Sequence, residues 1–133
     1  MQLTYNINKP VNQVFSYLSE IKKFAHIHPL IKKVKIIGIN EYMIYEKMNF
    51  GFISRSVIYP ATIKADYASK KITMEAVVKK LVTIRLHFTI TENGNGALIK
   101  EEIAIQSKLP VKGIVEKICR KQHGLMFQNM EED

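Results

Sequence analysis

Residues 82–126 read VTIRLHFTITENGNGALIKEEIAIQSKLPVKGIVEKICRKQHGLM, and the hydrophobic period changes once within that stretch. Val82, Ile84, Leu86, Phe88 and Ile90 alternate with Thr83, Arg85, His87, Thr89 and Thr91. That is a strand with one buried and one wet face. Asn93-Gly94-Asn95-Gly96 follows, and Asn-Gly pairs tolerate the positive φ of a tight hairpin. The chain should return as a strand over 96–106. From Pro110 the spacing becomes helical. Val111, Ile114, Val115, Ile118, Leu125 and Met126 form one stripe, opposite Lys112, Glu116, Lys117, Arg120 and Lys121. A helix over about 109–130 is expected. Gly124 inside it costs up to about 1 kcal/mol relative to alanine and marks either a bend or a close approach. The final Glu131-Glu132-Asp133 is expected to fray.

Upstream, the signal is β-like back to Pro29. Strands are expected near 31–40, 42–50, 52–66, 70–79 and 81–92, with turns at Asn40-Glu41, Gly51, Ala68-Ser69 and Lys80. Ile72, Met74, Ala76 and Val78 share one face of their strand. Pro60 interrupts the longest run and should mark a bulge or bend. At the start, Leu3, Tyr5 and Ile7 alternate as a strand. Pro10 opens a helix from its first turn, with Val11, Val14, Phe15 and Leu18 on one face. A second short helix carries Ile21 and Phe24, and His28-Pro29 ends it, because the residue before proline avoids helical angles.

Short connections between successive strands require antiparallel pairing. The expected fold is therefore α+β: a curved antiparallel sheet of six or seven strands wrapped around a long C-terminal helix, with two short helices after the first strand. A chain of 133 residues suits one domain over 1–133. Its hydrophobic fraction of 47% excludes a disordered chain. The one cysteine, Cys119, rules out an intrachain disulfide. The opening MQLTYNINKP has no signal-peptide character and no run approaches a membrane span, so a cytoplasmic location without a transmembrane segment is expected. The net charge of +8 comes mostly from lysine doublets that flank elements, where a solvated turn accounts for them. With no arginine-rich run and no zinc-finger spacing, nucleic acid is not an expected partner. Nothing in the sequence fixes an oligomeric state.

The order strand, two short helices, six strands, long helix resembles the START-like (SRPBCC) helix-grip superfamily. That group includes pollen-allergen-like proteins, polyketide cyclases and dehydrases, aromatases and coenzyme-Q-binding proteins. The most specific piece is INKPVNQVFSYLSEIKKFAHIHPLIKKVKII over 7–37, where Pro10, Val14, Phe15, Leu18, His28 and Pro29 are similar to the family's opening. The resemblance covers essentially the whole chain. It implies a cavity between the concave face of the sheet and the last helix, for which Met74, Leu86, Val115, Ile118 and Met126 are the candidate apolar lining.

Three polar residues fall on faces that should point inward. Arg55 shares a face with Val57 and Tyr59, Glu101 with Ile99, Ile103 and Ile105, and Gln122 lies between Ile118 and Met126 on the helix stripe. A buried charge is costly unless paired. Each therefore either has a partner, lines a wet cavity, or sits in solvent because a bulge flips the register. Arg55, Tyr59, Glu101 and Gln122 join the candidate ligand-binding set. If Phe50-Gly51 makes a two-residue turn, Asn49 faces Phe52 and Glu46 faces Arg55 as an opposed charge pair. His26 and His28 have a His-x-His spacing but lack further metal ligands, so no metal is expected. There, His28 helps end its helix and His26 is partly exposed. Cys119 and His123 stand one helical turn apart. A catalytic thiol also needs an orienting group, and a buried cysteine usually acts as a small hydrophobe. No catalytic residue and no cofactor is assigned.

Three functions fit such a chain. One is a binding module for a hydrophobic or amphipathic small molecule. Another is a polyketide cyclase or aromatase-like enzyme in the same cavity, with Arg55, Glu101 and Gln122 guiding proton transfers. The third is an interaction protein with a filled core. A cavity of roughly 300 Å³ or more argues against the third. Converging titratable groups inside it favour the second over the first.

Overall fold

The computed structural model describes residues 1–50 and 53–133. The element order is β1 (Gln2–Ile7), α1 (Val11–Ser19), α2 (Ile21–Ile27), β2 (Ile31–Gly38), β3 (Glu41–Phe50), β4 (Ile53–Asp66), β5 (Lys71–Val78), β6 (Val82–Asn93), β7 (Gly96–Ser107) and α3 (Lys112–Glu132). The strands form one seven-stranded sheet in the order β1-β7-β6-β5-β4-β3-β2, every pairing antiparallel. The curved sheet grips α3, and α1 and α2 run between its two edge strands, as the element order of the sequence implies.

Local chemistry accounts for the turns. Gly94 takes a positive φ of 61° at the β6–β7 hairpin, where Asn93 pairs with Gly96. Gly96 meets a separate demand: a Cβ there would lie 2.4 Å from the Ile7 carbonyl oxygen, so only glycine lets β7 pass the end of β1. The β5–β6 turn has no glycine. Lys79 and Lys80 both take positive φ, 52° and 58°, a conformation that side chains with a Cβ adopt at a cost.

Pro60 does not make the expected bulge. The β3–β4 register runs unbroken through Met43↔Pro60, while the β4–β5 ladder begins only at Ala61. Proline is tolerated because β4 has no β5 partner there. The register shifts lie instead on β2, between Ile31 and Lys33 and between Ile36 and Gly38. The expected Phe50-Gly51 turn and the Phe52 pairing fall outside the described residues. Below them, the ladder pairs Phe50 with Ile53, Met48 with Arg55 and Glu46 with Val57. Glu46 and Arg55 therefore do not face each other, and the register differs from the expected one by two residues.

The helix α3 is anchored by its C-terminal half. Met126, Phe127 and Met130 are buried. The Phe127 ring packs 4.2 Å from Tyr5 and 6.4 Å from Phe88, and Asn129 Nδ2 donates to the Ile27 carbonyl at 2.9 Å. Its buried face runs through Cys119, His123, Met126, Phe127 and Met130. That face is rotated from the expected stripe, so Ile114 and Leu125 are exposed. Gly124 has open space around its Cβ direction and permits no close approach. The acidic tail is held rather than frayed: both Glu131 carboxylate oxygens accept from the Asn8 N–H. Asp133 accepts from the Tyr17 hydroxyl and pairs with exposed His26.

Candidate functional site

The N-terminal half of α3 stands off the sheet, and beneath it lies a cavity of about 230 Å³. Strand alternation builds its floor. Ile63 on β4, Met74 on β5 and Leu86 on β6 are cross-strand neighbours on one face, and all three are buried and line the hollow. Val78, Val82, Val115 and Ile118 line it toward the β5–β6 turn and the start of α3. These four are only partly buried, as are Met48, Val57 and Ala61 on the β3–β4 side of the lining. Ile21 and Phe24 of α2 close another wall.

Polar groups converge on this apolar hollow. The Tyr59 hydroxyl on β4 donates to Glu46 Oε1 on β3 at 2.5 Å, a diagonal pair, since Tyr59 faces Ile44 and Glu46 faces Val57. Burial raises the Glu46 carboxyl above its ordinary range, while the Tyr59 bond and nearby His123 oppose that rise. Burial and the adjacent Glu46 push the Tyr59 phenol well above its usual value. His28, at the end of α2, accepts the Leu30 N–H on Nδ1 at 3.1 Å. Burial, with His123 nearby, drives its pKa down to about 3. Its neutral ring therefore carries the proton on Nε2.

The deepest polar group is Glu101, with no exposure. His123 Nδ1 lies 2.5 Å from its Oε2, though neither atom completes an aligned hydrogen bond. The His123 ring stands edge-on to His28 at 6.2 Å. Gln122 lines the cavity with its Oε1 buried and without a donor. Cys119 also lines it, but burial and the carboxylates Glu101, Glu46 and Glu116 lift its thiol to about 12. It remains a neutral thiol and not a nucleophile at neutral pH.

Of the residues singled out from sequence, Tyr59, Met74, Leu86, Val115, Ile118 and Gln122 surround the cavity. Arg55 does not: it is exposed, on the part of the β3–β4 hairpin beyond the β5 ladder. Met126 is buried in the core, where the rotation of α3 turns it away from the hollow. Glu101 reaches the site only through His123. His28, His123 and Glu46 also line the cavity, and little in the sequence marks them as lining groups. Their spacing along the chain holds no trace of one another, since they come from α2, α3 and β3. The one legible signal was the polar pair Gln122-His123 on an otherwise apolar helix face.

No helix among the described residues is long and apolar enough to cross a membrane. No curated protein matches the chain in sequence. Solved structures share its fold at low identity. A START superfamily protein from Mycobacterium smegmatis is 15% identical with a TM-score of 0.81, covering 99% of this chain and 94% of that one. Ara h 8.0201 is 13% identical with a TM-score of 0.80, at 99% and 94% coverage. The ZhuI aromatase/cyclase from Streptomyces sp. R1128 is 11% identical with a TM-score of 0.72, at 97% and 88% coverage. At these identities the likeness is one of fold, and it is the START-like helix-grip fold. The family model of CoxG, a carbon monoxide dehydrogenase subunit, matches residues 4–130, and the chain belongs to that family.

Proposed function

We propose that this protein binds a small hydrophobic or amphipathic molecule in the cavity under α3. The observation that carries the reading is the hollow itself: about 230 Å³ lined by aliphatic side chains, with hydrogen-bonding groups converging on it. An apolar cavity of about 150 Å³ is enough to take up benzene. Sites for drug-sized ligands start near 300 Å³, so the hollow falls short of the size that sets aside a filled-core interaction protein, and ligand uptake decides between the two. The hollow therefore suits a ligand of one or two rings, or the end of a longer molecule. Mass spectrometry of small molecules that co-purify with the protein tests this. Recovery of an apolar compound in stoichiometric amount supports it. Recovery of none, together with failure of small apolar probes to bind, counts against it.

A second reading, proton-transfer catalysis of the cyclase or aromatase kind in the same cavity, is favoured by the convergence of Glu46, Tyr59, His28 and the Glu101–His123 pair, but it stands second because burial leaves His28 a weak base and Tyr59 a weak acid near neutral pH. Cys119 is too poor a nucleophile for covalent catalysis, so any such chemistry would run by general acid and base. In it, an enolisable carbon loses a proton and attacks a carbonyl, and water then leaves. Incubation with a short linear triketone, with loss of water followed by mass, distinguishes the readings. Turnover that Glu46→Gln or His123→Gln abolishes while binding persists supports catalysis. Binding without turnover leaves the protein a carrier.

A further inference from the structure

The chain carries 20 lysines and arginines against 12 acidic residues, yet no lysine or arginine lines the cavity among the described residues. Residues 49–54, which read NFGFIS, contain no lysine or arginine. The charges that do reach the hollow are carboxyls. Glu46 spends Oε1 on the Tyr59 hydroxyl, which leaves Oε2 as an acceptor. Glu101 lies behind His123 at 2.5 Å, so any positive charge on His123 is already met. His28 is neutral and offers a single N–H. Gln122 lines the hollow with an uncharged amide whose Oε1 is enclosed.

This hollow without a lysine or arginine, in a basic protein, has a consequence for selection. We infer that the cavity selects an apolar molecule whose polar end is neutral or positively charged and donates a hydrogen bond, an alcohol, phenol or amine, and rejects carboxylates and phosphates. The inference rests on the proposed binding role and names the ligand class for it. An anionic end would meet Glu46 in a site of low dielectric with no cation to offset its desolvation. A hydroxyl donates to Glu46 and accepts from His28. An ammonium does the first more strongly.

The test is a size-matched series titrated calorimetrically at neutral pH: phenylpropanol, phenylpropylamine, phenylpropanoate and butylbenzene. The alcohol and the amine should bind at least tenfold more tightly than the carboxylate. Glu46→Gln, which keeps the shape and removes the charge, should narrow that gap and weaken the amine. Phenylpropanoate binding as well as phenylpropanol, or a gap unchanged in Glu46→Gln, overturns the inference while leaving the binding role intact. Failure of all four compounds, butylbenzene included, removes the binding role and the inference with it.

Discussion

His123 Nδ1 and Glu101 Oε2 lie 2.5 Å apart across the α3–β7 boundary, and the Glu101 side chain is wholly buried. A carboxyl in that position needs a partner, and His123 is the side chain that stands beside it. It also makes the pair a sensitive point of the fold.

Removing one member should therefore cost more than removing both. Glu101→Leu or His123→Leu alone is expected to destabilise by about 3–5 kcal/mol, because the remaining group is left buried without a counterpart. The double replacement should recover most of that loss. Urea unfolding of the three variants checks it, and additive losses in the double variant would contradict the pairing.

Stability should fall in acid through His28. Its folded pKa of about 3 lies below the ordinary 6.5. The unfolded chain therefore takes up a proton that the folded one refuses. The contribution of His28 is complete above pH 6.5 and is lost as pH falls toward 3, by up to about 1.4 kcal/mol per pH unit. His28→Asn, which keeps an acceptor for the Leu30 N–H, should flatten that slope. Parallel pH curves for the two proteins would refute the assignment.

Phe88→Ala should cost about 3–5 kcal/mol, since the ring is fully buried and packs against Phe127. A melting temperature close to that of the parent would be inconsistent with that packing.

Gln122→Leu separates two roles. Should Gln122 merely fill space, stability holds or rises, because its unpartnered oxygen is removed. Should it orient a ligand, phenylpropanol affinity falls and butylbenzene affinity does not. Paired calorimetric titrations of the variant and the parent decide between them.

The fold was legible because period-two alternation over Val82–Ile90 and the change at Pro110 are local properties that tertiary packing reinforces. The hairpin register was not. The tip sequence Phe50-Gly51-Phe52 lacks the Asn-Gly signature that located the β6–β7 turn, and a two-residue shift preserves which side chains share a face. Tyr59 could thus be assigned to the cavity face while the partner of Glu46 was misread as Arg55. The rotation of α3 was equally hidden. Ile114 and Leu125 are as apolar as buried residues, and only the contacts of Phe127 with Tyr5 and Phe88 and of His123 with Glu101 reveal the inner face. His28 looked like a helix terminator, and by its backbone it is one: its N–H bonds to the Phe24 carbonyl at 3.0 Å. Its ring faces the hollow because α2 packs there, which no local pattern encodes.

The central claim is that the space beneath α3 is a binding site. Titration of butylbenzene, followed by the methyl NMR signals of Met48 and Met74, tests it most directly, because both methionines line the cavity. Saturable shifts are expected at these two residues, with little change at Met130 in the far core and loss of the effect in Val115→Phe, whose ring fills the hollow. Overpacking of this kind costs about 1–3 kcal/mol, so the variant's fold is checked by its far-core signals. Signals of Met48 and Met74 that stay unmoved in the parent, or that move equally in Val115→Phe, would contradict it.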